Sequence, residues 1–226
     1  MTGGDAAQAA LVDVDGTLVD STYQHAVAWA SALRAHGIDV PAARAHRLIG
    51  MRGPRLVAEI LGPDATPELT RAVEDDHAAC FAGLRHLVVP LPGARDLLVQ
   101  LAGRGVAIVI ASSAKPDEVE GYLDMLDARE LVSAWTSSAD GDRSKPDPEP
   151  VRIAFERSGR SHAVVIGDAP WDCGSAAAAG LPCATVLTGG YARDELLAAG
   201  AAGVYEDLRE LADDLDRVLG RAAQPA

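Results

Sequence analysis

Three short apolar runs rich in valine and isoleucine constrain this chain most: Ala10–Val14 (ALVDV), Val106–Ala111 (VAIVIA) and Ala163–Ile166 (AVVI). Strands apolar on both faces belong to a parallel sheet with helices on either side. From Ala94 onward the strands alternate with helical stretches, Ala94–Gly103, Pro116–Leu126, Pro148–Ser158 and Cys173–Ala179, and Leu208–Leu219 closes the chain. Val132–Thr136, Ala184–Leu187 and Gly203–Tyr205 read as further strands. This alternation predicts a doubly wound α/β fold. It breaks immediately after the first strand. Thr22–His36 carries Ala26, Trp29, Ala30 and Leu33 at helical spacing and stops at Gly37. Ala43–Ile49, Pro54–Leu61 and Pro67–Leu84 follow, punctuated by Gly62-Pro63 and Thr66-Pro67. The expected architecture is a doubly wound parallel-sheet core, residues 1–20 and 89–226, with an inserted all-helical cap, residues 21–88.

Composition narrows the function. The chain of 226 residues is 48% apolar, which suits a packed core and excludes a disordered chain. No apolar run reaches the roughly 18 to 20 residues a membrane span needs. Its net charge of −13 disfavours nucleic acid and anionic membranes as partners. A phosphate substrate stays open, because one bound cation can invert the field of an acidic pocket. Met1–Gln8 lacks the basic start of a signal peptide. Cys80, Cys173 and Cys183 form no CxxC or zinc pattern. A cytoplasmic protein with free, packed thiols is expected, as a monomer or homodimer.

In open α/β sheets, ligands bind beyond the carboxyl ends of the strands. Asp13, Asp15, Gly16 and Thr17 follow the first strand, and Ser112 and Ser113 follow VAIVIA. Asp168 follows AVVI, with Asp172 four residues on. Lys145-Pro146 lies in a turn-rich segment, and Lys145 is one of only two lysines, with Lys115. One carboxylate at a strand end is usually a cap or turn residue. Four of them with a serine and a lysine, from distant positions, converge on one rim. Carboxylates so close repel one another unless a hard cation such as Mg²⁺ takes their oxygens.

Asp13-Val14-Asp15-Gly16-Thr17, Ala111-Ser112-Ser113, Lys145-Pro146 and Gly167-Asp168-Ala169-Pro170-Trp171-Asp172, in this order, resemble the four motifs of the haloacid dehalogenase (HAD) superfamily, in particular its capped phosphatases. The resemblance runs from about residue 10 to residue 181. It implies that Asp13 is the nucleophile that forms an aspartyl-phosphate, and that Asp15 is the general acid and then the base. It implies a Mg²⁺ held by Asp13, Asp168 and the Asp15 carbonyl, with Asp172 acting through water or from behind. Ser112 and Lys145 would hold the phosphoryl oxygens and neutralise charge, with Ser113, Gly16 and Thr17 beside the substrate. The second acid, Asp15, favours phosphoryl transfer over carbon–halogen hydrolysis. Trp171 stands where the family often has a small or polar residue, and is read as packing under the cap.

The cap would supply contacts to the leaving group. His25, twelve residues past Asp13, matches a histidine of β-phosphoglucomutase-like proteins. Arg52 and Arg55, in Gly50-Met51-Arg52-Gly53-Pro54-Arg55, are candidates for a substrate carboxylate or second phosphate. Lys115 reads as a solvated loop charge. The resemblance implies a Mg²⁺-dependent, phosphoglycolate phosphatase-like hydrolase of a small phosphorylated metabolite. A β-phosphoglucomutase-like phosphotransferase is the alternative. A phosphoryl-accepting signalling module is a third reading, disfavoured by the first-strand acceptor and the helical insert.

Overall fold

The structure is a computed structural model that describes residues 8–222. The reading of Met1–Gln8 therefore lies, except for Gln8, outside the described residues. The described residues open with β1 (Gln8–Val12) and β2 (Val19–Asp20), then α1 (Thr22–Ala35), α2 (Ala42–His46), α3 (Gly53–Leu61) and α4 (Pro67–Leu84). It returns through β3 (Val89–Pro90) to α5 (Ala94–Gly103), β4 (Ala107–Ala111), α6 (Pro116–Met125), β5 (Ala134–Thr136) and α7 (Glu149–Ser158). β6 (His162–Gly167), α8 (Pro170–Ala178), β7 (Cys183–Val186), α9 (Arg193–Ala198), β8 (Gly203–Tyr205), α10 (Leu208–Asp213) and α11 (Leu215–Ala222) complete it.

Six strands form one parallel sheet in the order β5-β4-β1-β6-β7-β8. The period of two along a strand explains the continuous apolar runs. Ala10, Val12, Ile108, Ile110, Val164 and Ile166 pack on one face, against leucines of α5, α10 and α11. Their neighbours Ala9, Leu11, Ala107, Val109, Ala163 and Val165 pack on the other, against Val151 and Ala154 of α7 and Cys173 and Ala176 of α8. Both faces are thus dry, and the chemistry is left to the sheet's edge.

The helices α1 to α4 bury a cluster of their own, including Ala26, Trp29, Leu33, Leu56, Val57 and Val73. They hang from the core by a ribbon the sequence did not suggest: β2 and β3 pair antiparallel, Val19 with Pro90 and Asp20 with Val89. The leaving and returning strands lie side by side, so both chain crossings run through this one ribbon. Three further boundaries differ from the pattern. The first strand stops at Val12, because Val14 starts a turn whose carbonyl takes the N–H groups of Thr17, Leu18 and Val19. α8 starts at Pro170, where Pro sits in the first turn and the Asp172 carboxylate takes the Ala169 N–H at 3.1 Å. The closing helix divides at Asp214, whose carboxylate accepts the Tyr205 hydroxyl at 2.8 Å. The cysteines are free, Cys173 and Cys183 buried and Cys80 only half-buried. No helix among the described residues is long and apolar enough to cross a membrane.

Candidate active site

Strand register brings the motif residues together. Val12 pairs with Ile110 on one side and Ile166 on the other, so Asp13, Ser112 and Asp168 emerge from three adjacent strand ends. Asp13, Asp168 and Asp172 are buried, each with a carboxylate oxygen within 4.8 Å of the others. Lys145, itself 2% exposed, places Nζ 2.7 Å from Asp13 Oδ1 and 2.7 Å from Asp172 Oδ1. It also donates to the Ala111 carbonyl at 3.2 Å. Thr17 donates to Asp168 Oδ1 at 3.0 Å. Ser112 is buried, and its Oγ accepts the Ala114 N–H at 3.0 Å.

Three buried carboxylates against one ammonium leave negative charge without compensation. Burial pushes the Asp13 carboxyl up to about 7, against the pull of Lys145 and with the push of Asp172. Burial, then the charges of Asp172 and Asp13, hold Asp168 well above the usual carboxylate range. Lys145 goes up despite burial, because Asp13 and Asp172 flank it. A donor set of clustered carboxylate oxygens with surplus negative charge fits a hard divalent cation. The Asp15 carboxylate is outside this cluster, so its expected part in metal binding rests on its main-chain carbonyl alone.

Asp15 turns toward the cap instead. Its Oδ1 accepts the Ser21 hydroxyl at 2.5 Å and lies 3.3 Å from His25 Nε2. Burial pushes its carboxyl up, but His25 and Ser21 outweigh this and hold it below the usual range. Gly16 makes the bend between Asp13 and the turn. Its φ is +80°, and a Cβ there would strike the Asp168 carboxylate and Thr22 Oγ1, so only glycine fits. Gly16 and Thr17, expected beside the substrate, both lie against Asp168.

Above Asp15 opens a cavity of about 350 Å³ between core and cap. Ser113, Lys115 and Glu118 line it from the core. His25, Arg52, Glu74 and His77 line it from the cap. Lys115, read as a loop charge, is exposed and still faces this cavity, because the start of α6 forms its floor. Arg52 lines the wall, but its guanidinium donates to the carbonyls of Ser138 and Gly141, and its N–H donates to Ser144 Oγ at 2.7 Å. It fastens cap to core. Arg55 does not line the cavity. It pairs with Glu59 one turn along α3, as two exposed charges at that spacing do. Trp171 packs under the cap, its Nε1 donating to the Arg47 carbonyl at 3.2 Å.

Glu74 and His77 escaped the sequence reading. His77 Nε2 shares a hydrogen bond with His25 Nδ1 at 3.2 Å and stacks on Trp29 at 4.0 Å. Burial, then the charges of His25 and Lys115, depress the His77 pKa to about 3. The available signal was the three-residue spacing of Glu74 and His77 on α4, which any half-buried helix face shares.

Acids and a lysine on a parallel-sheet rim, beside a helical block inserted after the first strand, are the arrangement of an α/β hydrolase with a helical cap. The family model for haloacid dehalogenase-like hydrolases matches residues 7–180, and the chain belongs to that family. It is 29% identical over 220 residues to a phosphoglycolate phosphatase of Rhodospirillum rubrum, covering 91% of this chain and 90% of that protein. It is also 29% identical to a validoxylamine A 7'-phosphate phosphatase of Streptomyces hygroscopicus subsp. limoneus, covering 89% and 94%. A crystal structure of a hydrolase from Pseudomonas syringae superposes with a TM-score of 0.88 at 34% identity, covering 93% of this chain and 99% of that one.

Proposed function

We propose that this enzyme hydrolyses a small phosphate monoester through an aspartyl-phosphate on Asp13, with Mg²⁺ at the rim. The observation that carries the reading is Lys145 bridging Asp13 and Asp172 at 2.7 Å each, with Asp15, two residues past Asp13, lining the cavity. Asp13, Asp168 and Asp172 would hold the cation, with the Asp15 carbonyl beside them. Bound there, Mg²⁺ would supply the positive charge that keeps Asp13 ionised and offsets charge on the phosphoryl oxygens.

An Asp13 oxygen attacks phosphorus, and the bond from phosphorus to the leaving oxygen breaks. Asp15 delivers a proton to that oxygen. In the second half Asp15 takes a proton from water, the water oxygen attacks phosphorus, and the Asp13 carboxylate is released with inorganic phosphate. The contacts that hold Asp15 below the usual range favour its carboxylate, the form this second half needs; for the first half Asp15 takes up a proton from solvent, against those contacts, as substrate binds. Ser112 and the nearby N–H groups hold phosphoryl oxygens, and Lys145 holds Asp13 in position and offsets charge. Residues 21–88, as a lid fastened by Arg52, keep bulk water out.

Hydrolysis is favoured over the mutase alternative because Arg52 is committed to Ser138 and Gly141, not free for a second phosphate. A cytoplasmic location is part of this reading, supported by three free cysteines, which suit a reducing compartment. Asp13→Asn is expected to lower Mg²⁺-dependent turnover of p-nitrophenyl phosphate by about 10⁴-fold or more. Full activity in that variant would sink the reading.

A further inference from the structure

The hydrolysis reading leaves one wall of the cavity without a task. Glu74 projects from α4 to that wall, and its carboxylate rests against Gly53, the first residue of α3, where a Cβ would collide with it. It is half-buried and makes no hydrogen bond or ion pair among the described residues. Burial holds its carboxyl above the usual range, although Lys115 and Arg52 pull the other way. A carboxylate held this way, desolvated and unpaired, stands ready to accept hydrogen bonds from whatever fills the cavity.

The other lining charges say what that filler is. Asp15, Glu74 and Glu118 bring three carboxylates, while the guanidinium of Arg52 is spent on backbone carbonyls. Lys115 is the lining cation whose donors stay free, since it makes no ion pair among the described residues, and with Arg52 it sets two positive charges against the three carboxylates. A leaving group with its own carboxylate or second phosphate finds only Lys115 free to pair with it, in a lining whose carboxylates outnumber its two fixed cations. A neutral, hydroxyl-rich group needs no such partner. Its O–H groups find acceptors on the acidic side chains, and its oxygens find a donor in Lys115. The stacked pair Trp29 and His77 adds an apolar wall suited to carbon–hydrogen faces. About 350 Å³ is also far more room than a two-carbon acid fills.

We infer that Glu74 is a specificity residue that accepts hydroxyl protons of a neutral polyhydroxylated leaving group, so that the substrate is a sugar or polyol monophosphate, not a phosphorylated carboxylic acid. The inference rests on the hydrolysis reading above and narrows it.

The test compares kcat/KM at fixed Mg²⁺ for a panel of sugar and polyol monophosphates, glucose 6-phosphate and sorbitol 6-phosphate among them, with phosphoglycolate and 3-phosphoglycerate. p-Nitrophenyl phosphate is the reference. The best neutral substrate should exceed either acid by roughly tenfold or more. Glu74→Lys should shift that ratio toward the acids by roughly a hundredfold, and Glu74→Gln by less. A wild-type preference for phosphoglycolate overturns the inference, and so does a ratio that neither variant moves. Turnover of p-nitrophenyl phosphate with none of the neutral panel also overturns it. If the variants fail to fold in a thermal melt, the wild-type panel alone decides. Failure of the hydrolysis reading looks different: no Mg²⁺-dependent turnover of any compound, p-nitrophenyl phosphate included.

Discussion

The acidic rim of the core and the cap wall of the cavity follow opposite rules. On the core side each rim acid is buried or nearly so and has a partner: Asp13 and Asp172 on Lys145, Asp168 on Thr17, Asp15 on Ser21. On the cap side Glu74 is half-buried and unpaired. The core residues sit on adjacent strand ends, where backbone pairing fixes their separation. The cap residues sit on helices joined to the core by two short strands and a few side-chain contacts. A step that makes and breaks bonds needs fixed geometry. Choice among leaving groups needs only a wall of suitable charge and shape, and a lid can carry it.

Predictions that test this contrast run from the core outward. Lys145→Met should do most damage. Removing one partner of a buried ion pair costs on the order of 3–5 kcal/mol. Chemical denaturation without metal is expected to show a loss of that size, with part of it restored by Mg²⁺. An unchanged midpoint would mean the rim acids do not need the lysine.

His77 comes next, on the border between rim and cap wall. Its folded pKa is about 3 against an ordinary 6.5, so below 6.5 the unfolded chain binds a proton that the folded one refuses. Its contribution is therefore fully present above pH 6.5 and falls as the pH drops toward 3. The slope is at most about 1.4 kcal/mol per pH unit. His77→Gln should flatten the fall in urea midpoint between pH 7 and 5, and an equally steep fall would remove His77 as its source.

Arg52→Ala loosens the lid. Hydrogen bonds from a charged donor contribute about 1.5–3 kcal/mol each, and some of this is recovered from water when the lid opens. KM should rise by roughly tenfold with a smaller change in kcat, and amide exchange near Ser138 and Gly141 should speed up. Arg55→Ala is expected to do least, since its exposed pair with Glu59 contributes about 0.3–0.5 kcal/mol. Kinetics matching wild type, with a barely lower melting temperature, is the expected result. A tenfold loss of activity would show that Arg55 reaches substrate.

The core was legible residue by residue. In a parallel sheet covered on both faces, strand ends meet at one edge, so Asp13, Ser112 and Asp168 were bound to meet once their strands were found. Asp172 followed from its place in the first turn of α8, although the helix starts at Pro170, earlier than the alanine pattern suggested. Lys145 was legible as one of two lysines in a turn-rich segment. The cap was legible only as helices. Arg52 and Arg55 looked alike in sequence, yet one fastens the lid and the other faces away. Lys115 looked like a surface charge because nothing local says that the start of α6 forms a cavity floor.

By itself, the sequence determined the alternation of elements, the interruption by a helical block and the convergence of acids on one rim. Those follow from local periodicity and from the single geometry a parallel sheet allows its strand ends. The tertiary structure alone decided which helix faces look into the cavity: Glu74 and His77 inward, Arg55 outward, Trp171 underneath. That orientation is set by contacts between residues far apart in the chain, such as Arg52 with Ser138 and Arg47 with Glu195, and no local pattern records them.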